Sequence, residues 1–146
     1  MLTTPHLLVG AAVGSQMPYA WQVVPLAAAS HFVLDSLPHV QGYIEVEDLK
    51  TSEAAFLVAD MGLGLILVGV LSFNNPAGEL MWLGALAAIL PDFHHIFQVL
   101  FGPDTLKKYH NLHMKFHFKK DMRIIPGFAT QILTIFLAIL FITRFI

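Results

Sequence analysis

The sequence predicts an all-α membrane protein: a polytopic bundle of about four to five membrane helices, the first short or re-entrant, plus an amphipathic interfacial helix. Three observations carry that expectation. Hydrophobic residues make up 56% of the chain and charged residues only 12%, against roughly 25% charged in soluble domains. Mean hydropathy is +0.68. The apolar runs are separated by short polar or Pro/Gly-rich breaks, as at Asn74-Asn75-Pro76-Ala77-Gly78. At 146 residues the chain suits one domain spanning 1–146. A net charge of −2 gives no basic field for nucleic acid, so none is expected as a partner. With no cysteine, any metal site must be built from His, Asp, Glu and water. No Lys or Arg precedes the apolar run from His6, so a cleaved signal is not expected.

Thr3-Thr4-Pro5-His6 reads as a helix start, with Thr4 as cap and Pro5 at the first helical position. His6, Gly10 and Gly14 then share one stripe, where glycines let a second helix approach closely. This first helix ends near Ser15 to Pro18, short of the ~20 residues needed to span. A second runs from about Tyr19 to Ser36, and the polar stretch 40–52 connects it to a third, from about Ser52 to Phe73. Gly62, Gly64 and Gly69 in the third again suggest close packing. The fourth apolar segment, about Glu79 to Phe101, contains Pro91, which removes a donor and predicts a kink. On the 103–119 segment His110, His113 and His117 fall near about 300°, 240° and 280° of a helical wheel, with Lys107, Lys108, Lys115 and Lys119 nearly opposite. That sorting predicts an interfacial helix with histidines toward protein and lysines toward lipid phosphates or water. The last helix, about Ile124 to Ile146, has only Thr130, Gln131, Thr134 and Thr143 as uncharged polar residues before Arg144.

The chemistry concentrates in Ser30-His31-Phe32-Val33-Leu34-Asp35-Ser36-Leu37-Pro38-His39. His31 and Asp35 are four apart and project from one helix face. Pro38 disfavours helix at Leu37, which puts His39 past the helix end, able to turn back. Asp92 and His95, three apart, share a face beside His94. Six of the eight Lys and Arg residues lie between Lys107 and Arg123, which places that loop in the cytoplasm by the positive-inside rule. Tracing the helices back, His6, His31, Asp35, His39, Asp60, Asp92 and His95 converge at that same end, capped by His110, His113 and His117. A prokaryotic cytoplasmic membrane is the expected location, with the bilayer and a lipid or lipid-linked molecule as partners.

Imidazoles and carboxylates in an apolar setting are costly unless satisfied. Two readings follow: a divalent metal centre, or a hydrogen-bonded His–Asp network joining helices. A thiolate-free His/Asp set suits Zn²⁺ first, with Mn²⁺, Fe²⁺, Co²⁺ or Ni²⁺ as alternatives, and about one or two ions. Metal ligands are expected at His6, His31, Asp35, Asp92, His95 and His113, with His39, His94, His110 and His117 as supporting or second-ion ligands. Asp60 matches His31 in depth but has no His four residues away, so it is the expected general base.

These motifs resemble the membrane-bound metal-dependent hydrolases (YdjM-like), whose members carry an early histidine, a Leu-Pro-Asp-x-Asp-His element and a Ser-His-x-x-x-Asp element. His6, Leu90-Pro91-Asp92-Phe93-His94-His95 and Ser30-His31 with Asp35 look like these three. His94 stands where the family has aspartate, and the two longer elements come in the opposite order. His110-Asn111-Leu112-His113 is a loose stand-in for the family's Gly-His-Arg-Gly-x-Thr-His run. The resemblance implies a metal-dependent hydrolase with Asp92, His95, His31 and Asp35 as ligands. The other reading is a non-enzyme: a structural metal, or a metal carrier or transporter.

Overall fold

The computed structural model describes residues 1–40, 51–118 and 124–144. Among them the chain is all-helical: α1 Thr3–Gln16, α2 Ala20–Ser36, α3 Thr51–Ser72, α4 Gly78–Ile89, a 3-10 turn Leu90–Asp92, α5 Phe93–Phe101, α6 Lys107–His113 and α7 Ile124–Thr143. Three stretches are long and apolar enough to cross a membrane: α3, the continuous Gly78–Phe101 and most of α7. With 14 and 17 residues, α1 and α2 are shorter. The acidic stretch with Glu45, Glu47 and Asp48, and the basic Lys119, Lys120 and Arg123, lie outside the described residues.

Helix α1 is the hub. It packs against α2, α3, α4 and α7, and Leu7, Leu8 and Ala11 are wholly buried. Being surrounded is what lets a helix of roughly 21 Å sit within an apolar bundle. Its glycine stripe explains the α4 contact. A Cβ on Gly10 would collide with the Gly84 carbonyl, and one on Gly14 with the Leu80 carbonyl, so only hydrogen permits this approach. The glycines of α3 differ among themselves. Gly64 lies against Thr4 and Leu7, whereas Gly62 faces open space and packs against nothing.

The start of α1 corrects the expected cap. The helix begins at Thr3, and the Thr4 hydroxyl donates to the backbone carbonyl of Asp60 at 2.7 Å instead of capping. The end's free N–H groups go to other helices. Asp60 Oδ2 accepts from Thr3 N–H at 2.6 Å and Thr4 N–H at 3.2 Å, and Gln131 Oε1 accepts from Leu2 N–H at 3.0 Å.

Pro91 breaks the fourth segment as expected, into α4, the 3-10 turn and α5. The expected 103–119 interfacial helix is shorter, Lys107–His113, because tight turns at Lys115 and Phe116 follow it. Gly102 and Leu106, both left-handed, reverse the chain ahead of it. The predicted sorting holds for the described residues: Lys107, Lys108 and Lys115 are exposed, and His113 and His117 are buried.

Candidate metal centre

The centre forms where the start of α1, the end of α2, the 3-10 turn and the α6 region meet. Pro38 stops α2, leaving Leu37 extended. The Asp35 carbonyl, freed of a helical partner, accepts from Phe118 N–H at 2.8 Å. That bond draws the segment after α6 against the end of α2 and brings His117 to Asp35.

The Asp35 carboxylate is the focus and is 1% exposed. Its Oδ2 lies 3.0 Å from His31 Nε2, 3.1 Å from His117 Nε2 and 3.5 Å from His113 Nε2. Its Oδ1 lies 3.2 Å from His6 Nε2 and 2.7 Å from the Met1 amino group. Asp92 Oδ1 closes the far side, 3.4 Å from both His31 Nε2 and His113 Nε2. The His6 ring stacks on His31 with centroids 4.2 Å apart.

Backbone carbonyls fix the imidazole tautomers. A 3-10 turn at residue 91 calls for an N–H there to bond Ala88, and proline has none. The His31 Nδ1–H donates to that Ala88 carbonyl at 2.8 Å. His39 Nδ1–H donates to Leu37 at 2.7 Å and His94 Nδ1–H to Pro91 at 2.8 Å. In each neutral ring the Nε2 then carries a lone pair, the arrangement that carbonyl-anchored metal histidines use. The His31 and His39 lone pairs lie in groups with carboxylate oxygens that are themselves only acceptors, whereas His94 Nε2 faces His110 Nδ1. Accordingly His31 Nε2, Asp35 Oδ2 and His39 Nε2 are buried and make no hydrogen bond. Such a set is unstable as it stands and needs protons or a cation.

The spacing is compatible with a cation. A tetrahedral ion about 2.05 Å from each ligand sets its ligand atoms roughly 3.3 Å apart. Among His31 Nε2, Asp35 Oδ2, His113 Nε2 and Asp92 Oδ1, four of the six edges are 3.0, 3.4, 3.5 and 3.4 Å. A second group, His39 and His117 with the shared Asp35, adjoins the first. A third, His94, His95 and His110, lies beyond His113. The donor set fits a borderline divalent ion, and the shared carboxylate suits a pair.

All ten expected ligands thus come together around the start of α1 and the end of α2, nine of them in the three groups and His6 through its contact with Asp35. Asp60 does not join them. It lies midway along α3, and its described hydrogen-bond partners are α1 backbone groups, an arrangement that caps α1. Residue-by-residue reading missed the Ala88 carbonyl, Gln131 and Tyr109, whose hydroxyl donates to Pro91 at 3.3 Å. Gln131 had one signal, as the lone amide in a helix whose other polar residues are threonines. Outside the spanning stretches, burial together with the neighbouring His113 and His117 holds the His110 imidazole below its ordinary pKa. Burial and the nearby terminal amino group do the same to His39.

Fold and site together define a helical chain with three potential membrane spans and a buried His/Asp cluster able to hold metal. No family model, curated protein or solved structure matches it.

Proposed function

We propose that this chain is a membrane-embedded metal-dependent hydrolase, with Zn²⁺ as the first-choice ion, acting on a lipid-linked or phosphate-containing substrate at the cytoplasmic leaflet. The observation that carries the reading is the asymmetry of the four-ligand group. His31, Asp35 and His113 have fully buried side chains, while the Asp92 side chain is 41% exposed. A ligand set closed on one side and reachable on the other suits catalysis better than a sealed structural site. A divalent ion held here supplies Lewis acidity and lowers the pKa of water it binds.

The chain's own residues do the rest. His31 is oriented by Ala88 and His39 by Leu37, so neither imidazole turns to bind. Asp35, common to two ligand groups, would be shared by two ions if both groups were filled, and a carboxylate-bridged pair would suit phosphoester chemistry. The exposed Lys108 and Lys115, on α6 and just after it, offer charge to a phosphate or an anionic headgroup, while Lys107 is paired with Asp104. The motif resemblance to YdjM-like hydrolases points the same way. Against a transporter, Glu79 is the lone charge among the described residues of the spanning stretches near the opposite end.

The test is metal analysis of detergent-purified protein, followed by assays on phospholipid and polyprenyl phosphate panels. About one or two transition-metal ions per chain are expected in this centre, lost in the double variant His31→Ala, Asp35→Ala. Stable, monodisperse protein purified without chelator and free of metal would sink the metal centre. Metal-loaded protein inactive on every panel would reduce the reading to a structural ion.

A further inference from the structure

The group beyond His113 is chemically unlike the centre it adjoins. His94, His95 and His110 offer three imidazole nitrogens within 4.8 Å of one another, and no carboxylate belongs to that group. His94 is 3% exposed, while His95 and His110 are only partly buried. The His94 Nδ1–H is committed to the Pro91 carbonyl, which turns its Nε2 lone pair toward His110 Nδ1 at 3.0 Å. Tyr109 holds the same carbonyl from α6, so the elements carrying His94 and His110 are tied together by one oxygen.

We infer that His94, His95 and His110 form an outer cation site of imidazoles alone, which takes up a transition-metal ion at the bundle surface and hands it to the buried centre through His113. Position supports the transfer. The His113 ring is 5.0 Å from His94 on one side, and its Nε2 is 3.4 Å from Asp92 on the other. Burial rises along that line, from the partly exposed His95 and His110 to the buried His94 and His113. Ligand type supports a selecting role. Neutral imidazoles bind Zn²⁺, Co²⁺, Ni²⁺ and Cu²⁺ well, whereas Mg²⁺, Ca²⁺ and Mn²⁺ prefer oxygen. An outer site without oxygen ligands rejects the abundant hard cations before they reach the carboxylates. The site itself stands independently of the proposed hydrolase, while the transfer rests on the buried centre holding metal.

Metal-stripped full-length protein in detergent is titrated with Zn²⁺, Co²⁺ or Mn²⁺, and bound metal is counted after dialysis. The double variant His95→Gln, His110→Gln should bind one Zn²⁺ fewer than wild type, and each single variant should weaken that site by at least about tenfold. The same double variant should refill its inner centre more slowly. Mn²⁺ should not occupy the outer position. The variant His31→Ala, Asp35→Ala should keep the outer equivalent. Should it lose no metal at all relative to wild type, the buried centre fails while the outer site stands. Equal stoichiometry and affinity in wild type and His95→Gln, His110→Gln overturn the outer site, and an unchanged refilling rate overturns the transfer. Wild-type protein provides a check free of misfolding: Co²⁺ should develop two visible absorption spectra in sequence, and a single spectrum throughout overturns the inference.

Discussion

Asp60 offers the sharpest contrast between a chemical and a structural role, because one substitution separates them. Its Oδ2 accepts from two N–H groups in the first turn of α1, one of them at 2.6 Å, within a side chain only 9% exposed. Asp60→Ala strips both acceptor contacts. A hydrogen bond to a charged group contributes about 1.5–3 kcal/mol, and an Asp cap typically about 1. Allowing for overlap, the loss is about 2–4 kcal/mol. Asp60→Asn keeps an oxygen for the same donors but removes the charge facing the positive end of α1, costing about 1 kcal/mol. At about 2–4 °C per kcal/mol for a chain of this size, Asn lowers Tm by about 2–4 °C and Ala by about 5–15 °C. Metal content should be unchanged in the Asn variant. Thermal unfolding in detergent with parallel metal analysis measures both. A general base would behave oppositely: Asp60→Asn would leave Tm in place and cut turnover by about 10²–10⁴-fold. That result would refute the capping role.

Three further outcomes are expected. Gly84→Val should separate α1 from α4, costing at least about 1–3 kcal/mol and lowering metal content, because the new side chain meets the Gly10 carbonyl; Gly62→Ala, into open space, should be neutral or stabilising by up to about 1 kcal/mol, with Tm as the readout. A cysteine replacing Lys115 should be shielded from an impermeant thiol reagent outside intact cells while one at Asn75 is labelled, and the reverse pattern would put the centre on the outer side. In metal-free protein His39 and His110, both below the ordinary imidazole pKa of about 6.5, resist protonation more when folded than when unfolded, so these two rings withdraw stability as pH drops through that value, and His110→Gln should lessen any fall in Tm between pH 8 and 5.

The sequence carried the parts of this fold that follow from chain-local rules. Pro38 ending α2 and Pro91 breaking the fourth segment are steric consequences of a ring, independent of tertiary context. The His31–Asp35 pair follows from helical periodicity. The gathering of these polar residues followed from counting depth along successive helices, although they meet α3 near its middle. Interhelical partners were not legible. Nothing near residue 60 says that its carboxylate meets the start of α1, since that depends on how α3 rotates about its own axis. The same rotation leaves Gly62 open and Gly64 packed, two residues apart. The extent of α6 was misjudged for a related reason: the bond from Phe118 to the Asp35 carbonyl competes with helix continuation, and its acceptor lies more than eighty positions away.

The enclosure of α1 has a consequence for assembly. Its opening N–H groups rest on Asp60 and Gln131, and its glycine stripe rests on α4. At roughly 21 Å it is too short to anchor across a bilayer unaided. During synthesis α1 therefore precedes the elements it packs against, and its contact with Gln131 forms only once residue 131 has been made. The ligands follow the same schedule, since His113 and His117 arrive long after His6 and His31. Protein truncated before α7 should leave the α1 end open to added protease and bind metal poorly, even with every imidazole present.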